Sequence, residues 1–400
     1  MRVWFDGKLG PAYTSIAKDH PVLSNEGGRF AYDGCQGPWE GGRHYAVVDG
    51  VPGPDFDALR GPEFSADGKH VWYLGWRGEK VVPVIDGVPG PEYDAVDPVG
   101  FHDGDHVVYR ACLGAKWVAV IDGVAGPEYS FVESIALLPE LHGFSYLARM
   151  GEGELLVING RPQPVYDEIG TAVPCVSATG RTVYNAKKGE RWVMVTDGVE
   201  GPEWDDLGAP FFSPEGELCY CGRRGDKWVA VAGEFVGPEL DMVNGPVITS
   251  QGRAVYWGKD GDKWAVGVGE TIGRGYDEVH YGSPTVSARG SVAFIVRRGE
   301  KWLVWLDGQE SSAYDDFAYI GKSYALGFSD DGSHLAYAVK RADKWVVVTD
   351  GRESPEYEGV SVPLPLFLRG QTGPTYACTV GGKSRMVING QPGPEYEGVW

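Results

Sequence analysis

Gly61-Pro-Glu-Phe-Ser-Ala-Asp-Gly-Lys-His-Val-Trp-Tyr-Leu-Gly-Trp-Arg-Gly-Glu-Lys-Val-Val-Pro-Val-Ile-Asp-Gly-Val-Pro-Gly-Pro-Glu-Tyr-Asp-Ala-Val-Asp97 holds two tight-turn signals between short apolar runs and no stretch with helical spacing. Gly61–Ser65 reads as a short strand A, and Asp67-Gly68 as a turn. Lys69–Trp76 alternates as strand B, and Gly78 breaks the chain. Glu79–Ile85 is strand C, Asp86-Gly87 a second turn, and Glu92–Val96 strand D. Asp-Gly between apolar runs is a strong hairpin signal, because both turn residues must accept φ > 0. The same slot holds Asp49-Gly50, Asp122-Gly123, Asn159-Gly160, Asp197-Gly198, Asp307-Gly308, Asp350-Gly351 and Asn389-Gly390. Asparagine, which replaces aspartate twice, also tolerates the left-handed conformation.

Working outward, the closing motif Gly-Pro-Glu-Tyr-Asp recurs in full or decayed form. Copies start at Gly10, Gly53, Gly90, Gly126, Gln163, Gly201, Gly237, Gly273, Ser311, Ser354 and Gly393, mostly 36 to 38 residues apart. Four short strands per period form a sheet too small to cover its own faces, so copies must stack face to face. The chain is therefore expected to be all-β: a β-propeller of about ten four-stranded antiparallel blades. Residues 1–20 read as an orphan C–D hairpin that belongs to ring closure, and 21–400 as the ten-repeat propeller. One continuous ring is favoured over two five-bladed rings, because Asp205-Asp206-Leu207-Gly208-Ala209-Pro210 looks like every other blade junction.

Three blades share a further signature: Phe64-Ser65-Ala66-Asp67-Gly68, Phe212-Ser213-Pro214-Glu215-Gly216 and Phe328-Ser329-Asp330-Asp331-Gly332. Each is followed by an apolar strand containing tyrosine. In these segments, and along nearly the whole chain, the sequence resembles the TolB-type, WD-repeat-like propeller family. That resemblance implies four-stranded blades around a central channel and often a protein-binding surface. The added Asp-Gly-Val-x-Gly-Pro-Glu-Tyr-Asp hairpin departs from the family pattern.

Composition narrows the function. In 400 residues, 36 Lys+Arg face 56 Asp+Glu, a net charge of −20. Such acidity argues against nucleic-acid partners, which need a basic footprint. No apolar run is long enough to span a membrane, and the start Met1-Arg-Val-Trp-Phe-Asp has no signal-peptide core. Cys35, Cys112, Cys175, Cys219, Cys221 and Cys378 show no metal-site or disulfide spacing and favour reduced thiols in a cytoplasm; removal of a leader would instead place the protein in a periplasm. No cofactor, phosphate-binding or metal motif occurs. The histidines His20, His44, His70, His102, His106, His142, His280 and His334 are scattered, and His102/His106 make a poor metal pair.

The candidate site is a charge pattern. Basic residues gather in the B–C turns: Arg77 and Lys80; Lys187, Lys188 and Arg191; Arg223, Arg224 and Lys227; Arg297, Arg298 and Lys301; Lys340, Arg341 and Lys344. Strand alternation puts all B–C turns on one face, with most excess acid expected opposite, at the Asp-Gly and Gly-Pro-Glu turns. A face of this kind steers an anionic partner. The resulting reading is a non-catalytic propeller scaffold that binds a protein or another anionic macromolecule on that face. Two alternatives compete. A glycan-acting hydrolase or lyase would use carboxylates such as Asp205-Asp206, Asp315-Asp316 or Asp330-Asp331, in an irregular sector at Gly34–Arg43 or Phe317–Gly327. A multivalent lectin would use half-exposed indoles at Trp117, Trp192, Trp228, Trp264, Trp302 and Trp345, a slot that Val81 and Tyr45 fill elsewhere. Otherwise these indoles wedge between blades, and Tyr93, Tyr129, Tyr166, Tyr276, Tyr357 and Tyr396 pack likewise.

Overall fold

The central strands are apolar at nearly every position, as in Lys80-Val-Val-Pro-Val-Ile85, because both of their faces are covered. The structure, a computed structural model, describes residues 1–5, 7–17, 21–102, 106–280, 284–320, 323–361 and 366–397; His20 lies outside them. Sheet 2 sets the pattern: strand A is Ala58–Phe64, B is Val71–Arg77, C is Lys80–Ile85 and D is Val88–Pro89, antiparallel and hydrogen-bonded in that order. Ten such sheets follow one another, with C strands Arg43–Val48, Lys80–Ile85, Lys116–Ile121, Gly153–Ile158 and Arg191–Thr196, then Lys227–Ala232, Lys263–Val268, Lys301–Leu306, Lys344–Thr349 and Lys383–Ile388. In five sheets strand A is split into two short pieces, both paired with B. The chain is all-β, and its ten four-stranded antiparallel blades make it a β-propeller.

The chain divides into two compact units, Met1–Gly201 and Pro202–Trp400. Within each, successive sheets bury a shared apolar layer. In the first unit Trp72, Leu74, Val81 and Tyr93 of sheet 2 meet Val107, Tyr109, Ala111, Val118 and Val120 of sheet 3. In the second, Tyr314 and Tyr337 lie in the layer that joins sheets 8 and 9. At several blade junctions the motif aromatic stands edge-on to a strand-B tyrosine of the next sheet: Phe56 on Tyr73, Tyr93 on Tyr109, Tyr314 on Tyr337, with centroids 6.4, 6.4 and 6.3 Å apart. The motif glycine makes room for that tyrosine, since a Cβ on Gly53 would fall 2.6 Å from the Tyr73 hydroxyl. At the N-terminus Trp4–Phe5 and Lys8–Leu9 form a two-stranded hairpin, and Tyr13 then packs on Tyr32 of sheet 1. Ser15–Ile16 already pairs with strand B of that sheet.

Strand boundaries differ from the sequence reading at the blade junction. Tyr93 bridges back to Val81, whereas the Asp94 N–H bonds Cys112 O on the next sheet. The chain changes sheets between these two residues, so strand D is short and Ala95–His102 is strand A of sheet 3. By the same shift strand A of sheet 2 starts at Ala58. Pro91 contributes, because it has no N–H to extend the D pairing. Tyr396 is a second departure: it is 49% exposed.

The eight Asp/Asn-Gly turns have positive φ at both positions, for example 50° and 78° at Asp86-Gly87. Their side chains also reach back to strand B. Asp86 Oδ1 accepts the Val71 N–H at 2.9 Å, and Asn159 Oδ1 accepts that of Phe144 at 2.9 Å. Acceptance of a main-chain N–H explains why Asn and Asp alternate there. In the B–C turns glycine occupies the left-handed position, with φ 57° at Gly78 and 62° at Gly299; sheet 9 puts Ala342 there at 51°. An L-residue pays for this conformation. Ala342→Gly is expected to raise stability by about 1 kcal/mol, read as a higher thermal midpoint. An unchanged midpoint would show the turn to be unstrained.

Candidate functional site

In sheets 5, 6, 8 and 9 strand B ends at the B–C turn with two basic residues, and register gives them different tasks; sheet 2 has only the second, Arg77. The first lies directly across from the strand-C tryptophan: Lys187 from Trp192, Arg223 from Trp228, Arg297 from Trp302, Lys340 from Trp345. Its charge sits over that indole, 5.6, 5.9, 5.7 and 5.8 Å from the ring centroid respectively. The second reaches the aromatic of the preceding motif: Arg77 over Phe56 at 5.1 Å, Arg224 over Trp204 at 4.3 Å, Arg298 over Tyr276 at 5.0 Å and Arg341 over Tyr314 at 5.4 Å. Such contacts contribute about 0.5–1 kcal/mol each at exposed sites. The six indoles are all partly buried, with none exposed. Their slot in sheet 1 belongs to His44, not Tyr45, because His44 faces Cys35 as Trp192 faces Lys187.

Carboxylates come to the same end of the sheets. The motif aspartate forms a staple between neighbours. Asp94 Oδ1 accepts from Lys80 of sheet 2 at 2.5 Å, and Oδ2 accepts the Gly114 N–H of sheet 3 at 2.6 Å. Asp241 joins Lys227 to Gly261 in the same way, and Asp315 joins Lys301 to the Ala342 N–H. The lysine and the main-chain N–H hold Asp94, Asp241 and Asp315 below the ordinary aspartate value. Reciprocally, Lys80 and Lys227 are raised by their aspartates. The second basic residue takes a glutamate: Arg77 with Glu92 at 3.4 Å, Lys188 with Glu200 at 3.1 Å, Arg298 with Glu310 at 2.7 Å, Arg341 with Glu353 at 2.5 Å. Lys187, Arg223 and Arg297 meet Glu168, Asp206 and Glu278 at 3.9, 3.6 and 2.9 Å.

Part of the expected charge separation is therefore corrected. The Asp-Gly carboxylates do lie at the far end, but strand D carries the motif's Glu-Tyr-Asp back to the B–C turns. Among the described residues Arg224, Lys340 and Lys344 have no carboxylate within ion-pair distance; Arg191 is exposed and has a partner of its own.

The other candidates resolve into turn and strand chemistry. Asp205 Oδ2 accepts the Gly225 N–H, Asp206 Oδ1 its neighbour Leu207 N–H, Asp330 the Gly370 N–H, and Asp331 the Ser329 hydroxyl and Ser333 N–H. His70, His106 and His334 occupy one repeat position, each beside an Asp-Gly aspartate at 2.7, 2.8 and 2.6 Å. His102 is the backbone partner of His106 across a hairpin. The irregular Gly34–Arg43 sector encloses a pair that the sequence did not single out. Asp33 and His44 are each 4% exposed, Nδ1 lies 3.1 Å from Oδ1, and Nε2 lies 3.0 Å from Trp39 O. A histidine in the tryptophan slot was its one visible sign. The six cysteines are free thiols, and burial pushes Cys221 up to about 11. Among the described residues no cluster of three His, Cys, Asp or Glu is placed to hold a metal, and no helix is long and apolar enough to cross a membrane.

Similarity to known proteins is confined to shape. No protein-family model matches the chain, and no curated protein matches it. Among solved structures, a eukaryotic initiation factor is 10% identical, covering 92% of this chain and 96% of its own, with a TM-score of 0.31. TolB from Acinetobacter baumannii is 13% identical over 62% of this chain and 77% of its own, with a TM-score of 0.24. The β-propeller domain of the Trilobed protease from Pyrococcus furiosus is 11% identical, covering 86% and 96%, with a TM-score of 0.25. The class of the chain, a β-propeller, rests on its own ten four-stranded sheets.

Proposed function

We propose that the protein is a non-catalytic propeller scaffold that binds an anionic protein surface at the B–C ends of its blades. The supporting observation is that this end presents cations already held in place. The Arg224 guanidinium lies over Trp204, 4.3 Å from the ring centroid, and Lys340 lies over Trp345, neither with a carboxylate partner among the described residues. A guanidinium stacked on a ring keeps its donors for a bidentate acceptor and loses less freedom on binding. The resemblance of the Phe64–Gly68, Phe212–Gly216 and Phe328–Gly332 segments to TolB-type repeats agrees with a binding role.

Immobilised polyglutamate and heparin serve as defined anionic probes. The protein is expected to be retained on them at low salt despite its charge of −20, and to elute as salt screens the contact. Arg224→Ser together with Lys340→Ser and Lys344→Ser should abolish retention while the thermal midpoint changes little. Flow-through of the parent protein, or equal retention of the triple variant, overturns the reading.

A further inference from the structure

The A–B turn of sheet 4 breaks the repeat. Where sheets 2 and 9 turn through Phe-Ser-x-Asp-Gly and sheet 6 through Phe-Ser-Pro-Glu-Gly, this one runs Leu137-Leu138-Pro139-Glu140-Leu141-His142-Gly143, with a 3-10 turn at Pro139–Leu141, the sole helix among the described residues. His142 has φ 46° and Ser134, at the bulge of the preceding strand, φ 52°. Both are left-handed non-glycine residues outside the repeat's own turns. Strain of this kind gathers where a fold holds a site open. Between this loop and the neighbouring edge of sheet 3 lies a half-open groove of about 700 Å³, within the usual volume of small-molecule sites.

The polar groups of the groove are aimed by the frame. Asp122 Oδ1 accepts the Val107 N–H at 2.9 Å, and Oδ2 lies 2.8 Å from His106 Nδ1. A carboxylate only accepts, so Nδ1 carries the proton, leaving Nε2 for a ligand. Asn159 stands where six of the eight turns have aspartate, and its Oδ1 is spent on Phe144 N–H. Its Nδ2 stays a donor, and the repeat's negative charge is removed here. Gly143 allows the approach, because a Cβ there would sit 1.8 Å from Asn159 Oδ1. His142 adds an exposed imidazole, while Ile121, Leu137 and Phe144 form an apolar wall.

We propose that this groove binds the terminal ring of a neutral saccharide. Among the described residues no lysine or arginine lines it, so an anion would meet no counter-charge there in a chain carrying −20. Both Asp122 oxygens are engaged, so a cation gains little. A ring with one apolar face and hydroxyls on its rim matches one apolar wall and spaced donors and acceptors. The site lies at the opposite end of its sheet from the B–C turns and stands independently of the proposed anionic interface.

Ligand-observed saturation-transfer NMR on the full chain tests it, with glucose, galactose, mannose, N-acetylglucosamine and glucuronate as probes. At least one neutral sugar should give saturable binding, and glucuronate should bind more weakly than glucose. Asn159→Asp restores the repeat's own residue and keeps the Phe144 hydrogen bond, so the fold is retained. Affinity should fall about tenfold in that variant and in His142→Ala, as expected for loss of a hydrogen-bonding partner. Three outcomes overturn the proposal: no saturable binding of any neutral sugar, preference for glucuronate over glucose, or affinity unchanged in both variants.

Discussion

Phe56→Ala is expected to destabilise the protein by about 3–5 kcal/mol, the cost typical of deleting a fully buried aromatic ring. Phe56 has no exposed surface, stands edge-on to Tyr73, and carries Arg77 over its face. Its removal empties the contact between sheets 1 and 2 and leaves the Arg77 charge without its platform. A companion substitution sharpens the test. Gly75 lies under the Phe56 ring, and a Cβ there would fall 2.4 Å from the ring atoms. Gly75→Ala alone should cost about 1–3 kcal/mol through overpacking. In the Phe56→Ala background the added methyl has space, so the two losses should add to much less than their sum. Urea unfolding of the four-member cycle measures this. Strict additivity would mean that the two residues do not meet.

Acid should unfold the protein along a path set by the inter-blade staples. Asp57, Asp94, Asp241, Asp277 and Asp315 are all held below the ordinary aspartate value, Asp57 chiefly by the Gly78 N–H and the others chiefly by lysine. Since the folded state depresses these groups, the stability they confer is present above the unfolded value of about 3.9 and is lost as pH falls through the lower folded values. The thermal midpoint should hold from neutrality to about pH 5 and then drop steeply below about pH 4. Changing Asp94, Asp241, Asp277 and Asp315 together to asparagine should lower the neutral midpoint and flatten the acid limb. An acid limb of unchanged steepness in that variant would remove the staples from the explanation. At the alkaline side burial pushes Tyr73 and Tyr256 up to about 12. Their contribution is full below the unfolded value of about 10 and is lost as pH rises through 12.

The sites illustrate how much was legible beforehand. Basic residues such as Arg298 and Lys301 were visible as a pattern in the B–C turns, but their partners were not. Arg298 lies between Tyr276 of the preceding blade and Glu310 of its own. The Asp33–His44 pair and the groove beside His142 were also hidden, because each depends on an irregular loop folding over one blade rather than on a repeated spacing.

The amino-acid sequence by itself determined the blade: Asp-Gly and Asn-Gly admit only a tight left-handed turn, apolar alternation admits only strands, and a small two-faced sheet must be stacked. Only the tertiary structure decided what the charges do. The chain changes sheets between Tyr93 and Asp94, which carries the motif aspartate, and not the motif glutamate, to the blade that follows. Coulomb energy depends on that distance in space, and a repeat read along the chain does not contain it.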